Sequence, residues 1–228
     1  MPAMADVADW AAETEARLLD AALPLAPQYG WTSRLVRRAA ETIGLTAEDA
    51  ELLLPHGPRD LAALFSYRAD EMAMAALAAV DPAELKVRER IRRGVEARVE
   101  ASVAHEAAAR RWMGFLCLPQ HLALGARLHW EGADRIWRWA GDAATDENHY
   151  SKRLILAGLL SSTLAVRISS PPAAASRHLD RGIDAVMAYE KAKARFPRGD
   201  FAARAAQALG RMRYGARAAP VGEPATPA

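Results

Sequence analysis

Two short spacings come nearest to a reactive constellation, Asp146-x-x-His149 and His129-Trp130-Glu131. The first could offer two ligands from one helix face. A di-iron carboxylate bundle, however, requires two Glu-x-x-His pairs and two further glutamates, and no second pair exists. The second imitates the opening of a zinc-deaminase signature, which also needs a cysteine pair. Cys117 is the only cysteine, so that site and every multi-cysteine metal centre are excluded. There is no phosphate-cradling glycine loop, no Gly-x-Ser-x-Gly elbow and no His-Glu-x-x-His. His56, His105, His121 and His178 stand without partners in sequence and read as surface or capping residues. The expectation is a protein that is not an enzyme, with no catalytic residue, no metal site and no cofactor.

The residues that could bind are apolar. Trp130 and Trp137 lie seven apart, on one face of a helix, and Trp112, Met113, Phe115 and Leu116 end the helix before it. Bulky side chains at helical spacing either fill a core or line a cavity for a lipid. On the second reading Trp112, Met113, Leu116, Trp130 and Trp137 are the lipid-binding set. Residues 154–166 mix leucines with Gly158, Ser161, Ser162 and Thr163, small residues that let helices approach closely. They read as a cavity wall or, by preference, as a dimer seam. Near the C-terminus, Asp200 is a fair N-cap. Phe201, Ala205, Ala208, Leu209 and Met212 fall on one stripe, flanked by Arg204 and Arg211 on one side and Arg213 and Arg217 on the other. Arginine stems can lie along such a stripe while their charges meet anionic headgroups. Residues 198–218 are therefore expected to form a membrane-surface helix through Phe201, Arg204, Leu209, Arg211, Met212 and Arg213; the other reading is a terminal helix docked on its own domain.

The elements that must position these residues are helices. Of 228 residues, 51% are apolar and 25% charged, and 30 Lys+Arg against 28 Asp+Glu leave a net charge of +2, the balance of an ordinary globular protein. The chain is alanine-rich, and strict apolar/polar alternation never persists long enough for a strand. Proline and glycine place helix breaks at 27–31, 44–46, 55–58, 81–82, 119, 141–145, 171–172 and 196–200, giving nine or ten helices. In residues 83–103, Val87, Ile91, Val95, Val99 and Val103 recur every four positions as a core face. Arg88, Arg90, Arg92, Arg93, Glu96, Arg98 and Glu100 fill between them, reading as a salt-bridged solvent face. The tail after Ala218 is too poor in apolar residues to pack. The acidic start, with Asp6, Asp9, Glu13, Glu15 and Asp20 against Arg17, is unlike a targeting segment, and residues 154–166 are too short to span a bilayer. The expected location is the cytoplasm.

From Leu18 to Phe65 the order is helix, Gly30-Trp31, helix, Gly44-Leu45-Thr46, short helix, proline-bounded turn, helix. A small residue at Ala40 followed by Gly44 makes the helix-turn-helix corner, and Thr46 with Asp49 caps the next helix. The arrangement resembles the N-terminal domain of TetR-family repressors. In those, the second helix reads DNA with cationic and amide side chains. Here residues 47–54 carry Glu48, Asp49 and Glu51 and none of those types, and five arginines face ten acids through residue 60. Nucleic acid is not the expected partner; a ligand-responsive TetR-type regulator is the alternative reading.

Four blocks carry a closer resemblance: Leu19-Asp20-Ala21-Ala22-Leu23-Pro24 with Gly30-Trp31-Thr32; Leu54-Pro55-His56-Gly57-Pro58; Lys86-Val87-Arg88-Glu89-Arg90-Ile91-Arg92; and Ala133-Asp134-Arg135-Ile136-Trp137-Arg138 through Gly141-Asp142 and Thr145-Asp146 to Asn148, Tyr150 and Lys152-Arg153. In this order the chain resembles the ninth Coq protein family, the lipid-binding accessory factors of ubiquinone biosynthesis. The resemblance implies an all-α TetR-like homodimer. Taken with the residue reading above, the expected organisation is a helix-turn-helix-like region over 1–54, a lipid-binding and dimerisation region over 55–197, the amphipathic helix over 198–218 and a disordered tail over 219–228. The resemblance further implies an isoprenoid or phospholipid ligand, presentation of quinone precursors to a demethoxyubiquinone hydroxylase, and a peripheral position on the inner face of the cytoplasmic membrane. Thr145, Asp146, Asn148, His149, Tyr150 and Arg153 carry over as the exposed patch for partner or headgroup. Family members flank the asparagine with phenylalanine and tryptophan, where this chain has Glu147 and His149.

Overall fold

The computed structural model describes residues 4–142 and 147–195, and within them every regular element is helical. The order is α1 (Met4–Ala22), α2 (Ala26–Tyr29), α3 (Ser33–Ile43), α4 (Ala47–Leu53), α5 (Pro58–Leu77), α6 (Val87–Val103), α7 (Glu106–Leu116), α8 (Leu122–Trp139), α9 (Glu147–Ser169) and α10 (Pro172–Arg195), with 3-10 turns at Pro82–Glu84 and Pro119–His121. The chain divides into two units, Met1–Ile183 and Asp184–Ala228. The described part of the second is the continuation of α10 to Arg195. Residues 198–218, expected as a membrane-surface helix, lie outside the described residues, as do the break at 196–200 and the tail.

The break expected at 44–46 falls between α3 and α4, and Pro58, Pro82, Pro119 and Pro172 each open the element that follows; the break expected at 27–31 instead overlaps the short helix α2. Gly44 ends α3 with φ +70°, and the Leu45 N–H donates to Ala40 O at 2.9 Å, closing the corner the sequence suggested. Thr46 Oγ1 accepts from the Asp49 N–H at 3.1 Å and donates to Asp49 Oδ2 at 2.7 Å. One break carries no proline or glycine: α6 ends at Val103 and α7 begins at Glu106, turning at His105 with φ −122° and ψ 63°.

In the first unit α1 and α3 pack together, α5 lies along α6, and α8 lies along α9. An aromatic spine runs through this core. Trp31, Phe65, Trp112 and His129 succeed one another with ring centroids 5.4, 5.5 and 5.7 Å apart. Both indoles are satisfied, Trp31 Nε1 donating to Ala108 O at 3.2 Å and Trp112 Nε1 to Ala62 O at 2.8 Å, so their burial strands no donor.

α6 departs from its expected pattern at both ends of the scale. Ile91, Val95 and Val99 are buried, but Val87 is half exposed in the first turn. Arg92–Glu96 and Arg93–Glu89 form the i,i+4 pairs of a solvent face. Arg98, expected on that face, is buried instead. It pairs with buried Asp70 of α5 and is further held by Ser102 Oγ and by Ser66 through Oγ at 2.9 Å and O at 3.2 Å. A carboxylate and two hydroxyls waiting in the helix interface are what make the burial of a guanidinium tolerable.

Candidate functional site

At the junction of α8 and α9, exposed large apolar side chains stand beside a rigid frame. α8 ends where Gly141 takes φ +84°, with the Gly141 N–H donating to Arg138 O and the Asp142 N–H to Trp137 O, each at 3.0 Å. Arg90 of α6 caps the same end, NH1 donating to Ala140 O at 2.8 Å. These bonds deliver Asp142 to the start of α9.

Arg153, in the second turn of α9, is 1% exposed. Its Nε donates to Asp134 Oδ1 at 2.5 Å, and one NH group donates to Asp142 Oδ2 at 3.1 Å and to His149 O at 3.2 Å. Lys152 Nζ reaches Asp142 Oδ1 at 2.7 Å and stands 5.3 Å above the Trp137 ring, whose Nε1 donates to Lys152 O at 3.2 Å. Burial pushes the Asp142 carboxyl up, but the hydrogen bonds and charges of Lys152 and Arg153 outweigh it and hold it below the usual carboxylate range. Two cations and two carboxylates thus clamp the first turns of α9 onto α8.

Outside the clamp, Tyr150 is 65% and Leu154 67% exposed, one helical turn apart. Half-buried Trp130 of α8 stacks on Tyr150, with ring centroids 6.1 Å apart and planes 29° from parallel. His149 meets Tyr150 edge-on at 5.1 Å. Trp130 also borders a surface groove of ≈ 500 Å³ shared with Tyr67, Glu131, Asp134, Arg135 and Arg138. Burial, followed by the Glu131 carboxylate, keeps the Tyr67 phenol protonated beyond its ordinary range. Glu131 Oε2 is buried with no hydrogen-bond partner among the described residues. The groove therefore offers aromatic faces and the guanidinium groups of Arg135 and Arg138, a set suited to a flat ring bearing hydroxyl or carbonyl groups.

The residues singled out from sequence are distributed as follows. Trp130 and Trp137 both face the first turns of α9. Trp112 belongs to the aromatic spine; Leu116 is buried with it, and Met113 packs half-buried against the same core. Arg153 lies beneath the patch rather than on it, and Tyr150 and His149 lie at its surface. Thr145 and Asp146 fall outside the described residues, as does the side chain of Asn148. The further residues Leu154, Asp134 and Asp142 belong to the same assembly. Leu154 was signalled by its i+4 spacing from Tyr150, and the two aspartates by their place in the block that surrounds Trp137. Among the described residues, no group of three or more His, Cys, Asp and Glu is arranged to hold a metal ion, and no helix is long and apolar enough to cross a membrane.

The helical architecture, with its glycine corner at Gly44, is consistent with a TetR-like all-α fold. Residues 122–190, which contain α8, α9 and the clamp, match the COQ9 family model. Over 165 residues the chain is 29% identical to the ubiquinone biosynthesis protein COQ9, mitochondrial, of Rattus norvegicus, covering 68% of this chain and 52% of the relative. It is 28% identical to the protein of the same name from Bos taurus and 27% to that from Homo sapiens, covering 68% of this chain and 51% of each. The chain spans about half the length of the curated relatives it matches. Both comparisons thus point to similarity with the COQ9 family, centred on the segment that carries α8 and α9.

Proposed function

We propose that this chain is a non-catalytic accessory protein of ubiquinone biosynthesis that binds an isoprenoid quinone precursor and presents it to a demethoxyubiquinone hydroxylase at a membrane surface. The observation that carries the reading is the clamped patch of Trp130, Tyr150 and Leu154. Large, exposed aromatic and aliphatic side chains on a rigid base are what a protein partner recognises most strongly. The similarity of this segment to proteins named for ubiquinone biosynthesis supplies the pathway. Trp130 links the two halves of the task, since its ring stacks on Tyr150 at the patch and the groove beside it suits the ring of a precursor.

The same reading includes a homodimer formed through the late helices. Gly158 and Ala165 are exposed further along α9, beyond the patch, and small residues there favour close helix approach. It also includes peripheral membrane attachment by residues 198–218; truncation after Pro197 should reduce flotation with anionic liposomes.

Hydroxylase binding to the purified full chain tests the patch. Tyr150→Asp and Leu154→Asp should each weaken binding by about tenfold or more, with an unchanged thermal midpoint because both side chains are exposed. Undiminished binding by the double variant would contradict the reading.

A further inference from the structure

A second apolar surface lies at the other end of α8, in the turn that joins it to α7. Leu118 is 43% and Leu122 57% exposed, and Cys117, Pro119, Gln120 and Ala123 are exposed around them. Nothing in the first unit requires these leucines to face water, and a turn of this kind is ordinarily polar. Its charge is equally biased. Residues 107–130 contain Arg110, Arg111 and Arg127 with two histidines and no acid.

The turn borders a groove of ≈ 790 Å³ lined in part by Trp31, Arg59, Arg111, Phe115, Leu118 and His121. Phe115 and His121 stack at 4.0 Å and form its apolar floor. The acids nearest these arginines in sequence are already engaged, Asp60 with His56 at 3.3 Å and Glu106 with Arg110 at 3.1 Å. The Arg59 guanidinium has no partner among the described residues, and Arg111 uses only its Nε, donating to Pro27 O at 3.1 Å. Two cations are therefore unneutralised beside two protruding leucines.

We infer that the α7–α8 turn is a membrane-contact site for an anionic bilayer, into which Leu118 and Leu122 insert while Arg59 and Arg111 take lipid phosphates at the mouth of the groove. Apolar side chains at the tip gain by leaving water, and the cations gain from the negative surface potential without leaving the interface. The pairing of both features at one turn favours a lipid surface over an acidic protein, which would satisfy the arginines without a reason for two exposed leucines on a tight turn. The contact lies at the opposite end of α8 from the patch around Tyr150.

Cys117, the only cysteine, is exposed at this tip and permits a direct test on the full chain. An NBD label there should shift to the blue on addition of phosphatidylglycerol-containing vesicles and be quenched by lipids carrying nitroxides in their acyl chains. Leu118→Asp with Leu122→Asp should reduce vesicle partitioning by about tenfold, the factor supplied by partial burial of two leucines. Arg59→Glu with Arg111→Glu should reduce it on anionic vesicles and leave the weak binding to phosphatidylcholine unchanged. Vesicle binding with the label still in water would overturn the inference while leaving the C-terminal segment as an anchor. Absence of any vesicle binding would remove both. Shielding of the label by self-association without lipid would make the turn a contact between copies and likewise overturn it.

Discussion

Arg153 Nε and Asp134 Oδ1 lie 2.5 Å apart, joining the second turn of α9 to the middle of α8 with a guanidinium that is almost fully buried. The same side chain holds Asp142 and the His149 carbonyl, so the surface that carries Tyr150 is fixed from below.

Replacing Arg153 with Met should lower the unfolding free energy by about 3 kcal/mol, because Asp134 and Asp142 lose a buried partner that their remaining cations replace only in part. The first turns of α9 should also exchange their amides faster than in the wild-type protein. Lys152→Met, which removes a partly exposed pair, should cost less than about 1 kcal/mol. Urea titrations with hydrogen exchange measure both.

Arg98→Met should cost about 3 kcal/mol by leaving the buried Asp70 carboxylate with only the partly exposed Arg135, 4.0 Å away, as a cation. Asp70→Asn in the same chain removes that charge, so the double variant should be more stable than the sum of the single losses predicts. A double-mutant cycle in denaturant determines the coupling.

How much of this was legible in the sequence differs by residue. Proline and glycine marked most helix ends because their backbone restrictions act locally. The α6–α7 break at His105 was silent because neither residue stands there. Arg98 looked like its neighbours in the Arg/Glu run, since what buries it is Asp70, 28 positions away on α5. Local periodicity cannot report such a partner. At the patch, Tyr150 was visible through a family motif, but the stack with Trp130 depends on the angle between α8 and α9. Whether an arginine in that motif lies at the surface or beneath it was likewise set by packing, which placed Arg153 below.

Burial holds the His129 imidazole below its ordinary range despite the hydrogen bond from Nδ1 to Gly125 O, with Arg98 adding to the depression. The folded protein therefore favours neutral His129, and the stability this contributes is complete above the unfolded value of about 6.5. It is lost as the pH falls through the lower folded value. Urea midpoints should decline on acidification from about pH 7.5, and His129→Gln should flatten that part of the curve.

Two glycine substitutions should have opposite signs. A Cβ at Gly94 would stand 2.5 Å from Ile136 Cγ2, across the α6–α8 contact, whereas one at Gly114 meets nothing within 4 Å. Gly94→Ala should destabilise by about 1–2 kcal/mol. Gly114→Ala should stabilise by up to about 1 kcal/mol through helix propensity. Thermal midpoints of the two variants decide this directly.

The central claim is that the protein carries a lipid of the quinone pathway, and native mass spectrometry of the full chain, purified without detergent, tests it most directly. The account predicts a stoichiometric adduct that fragments to a polyprenylated ring or its phospholipid substitute, diminished by Trp130→Ala. Protein that is uniformly free of lipid from several expression hosts, and that stays free when incubated with a polyprenylated quinone precursor, would contradict it.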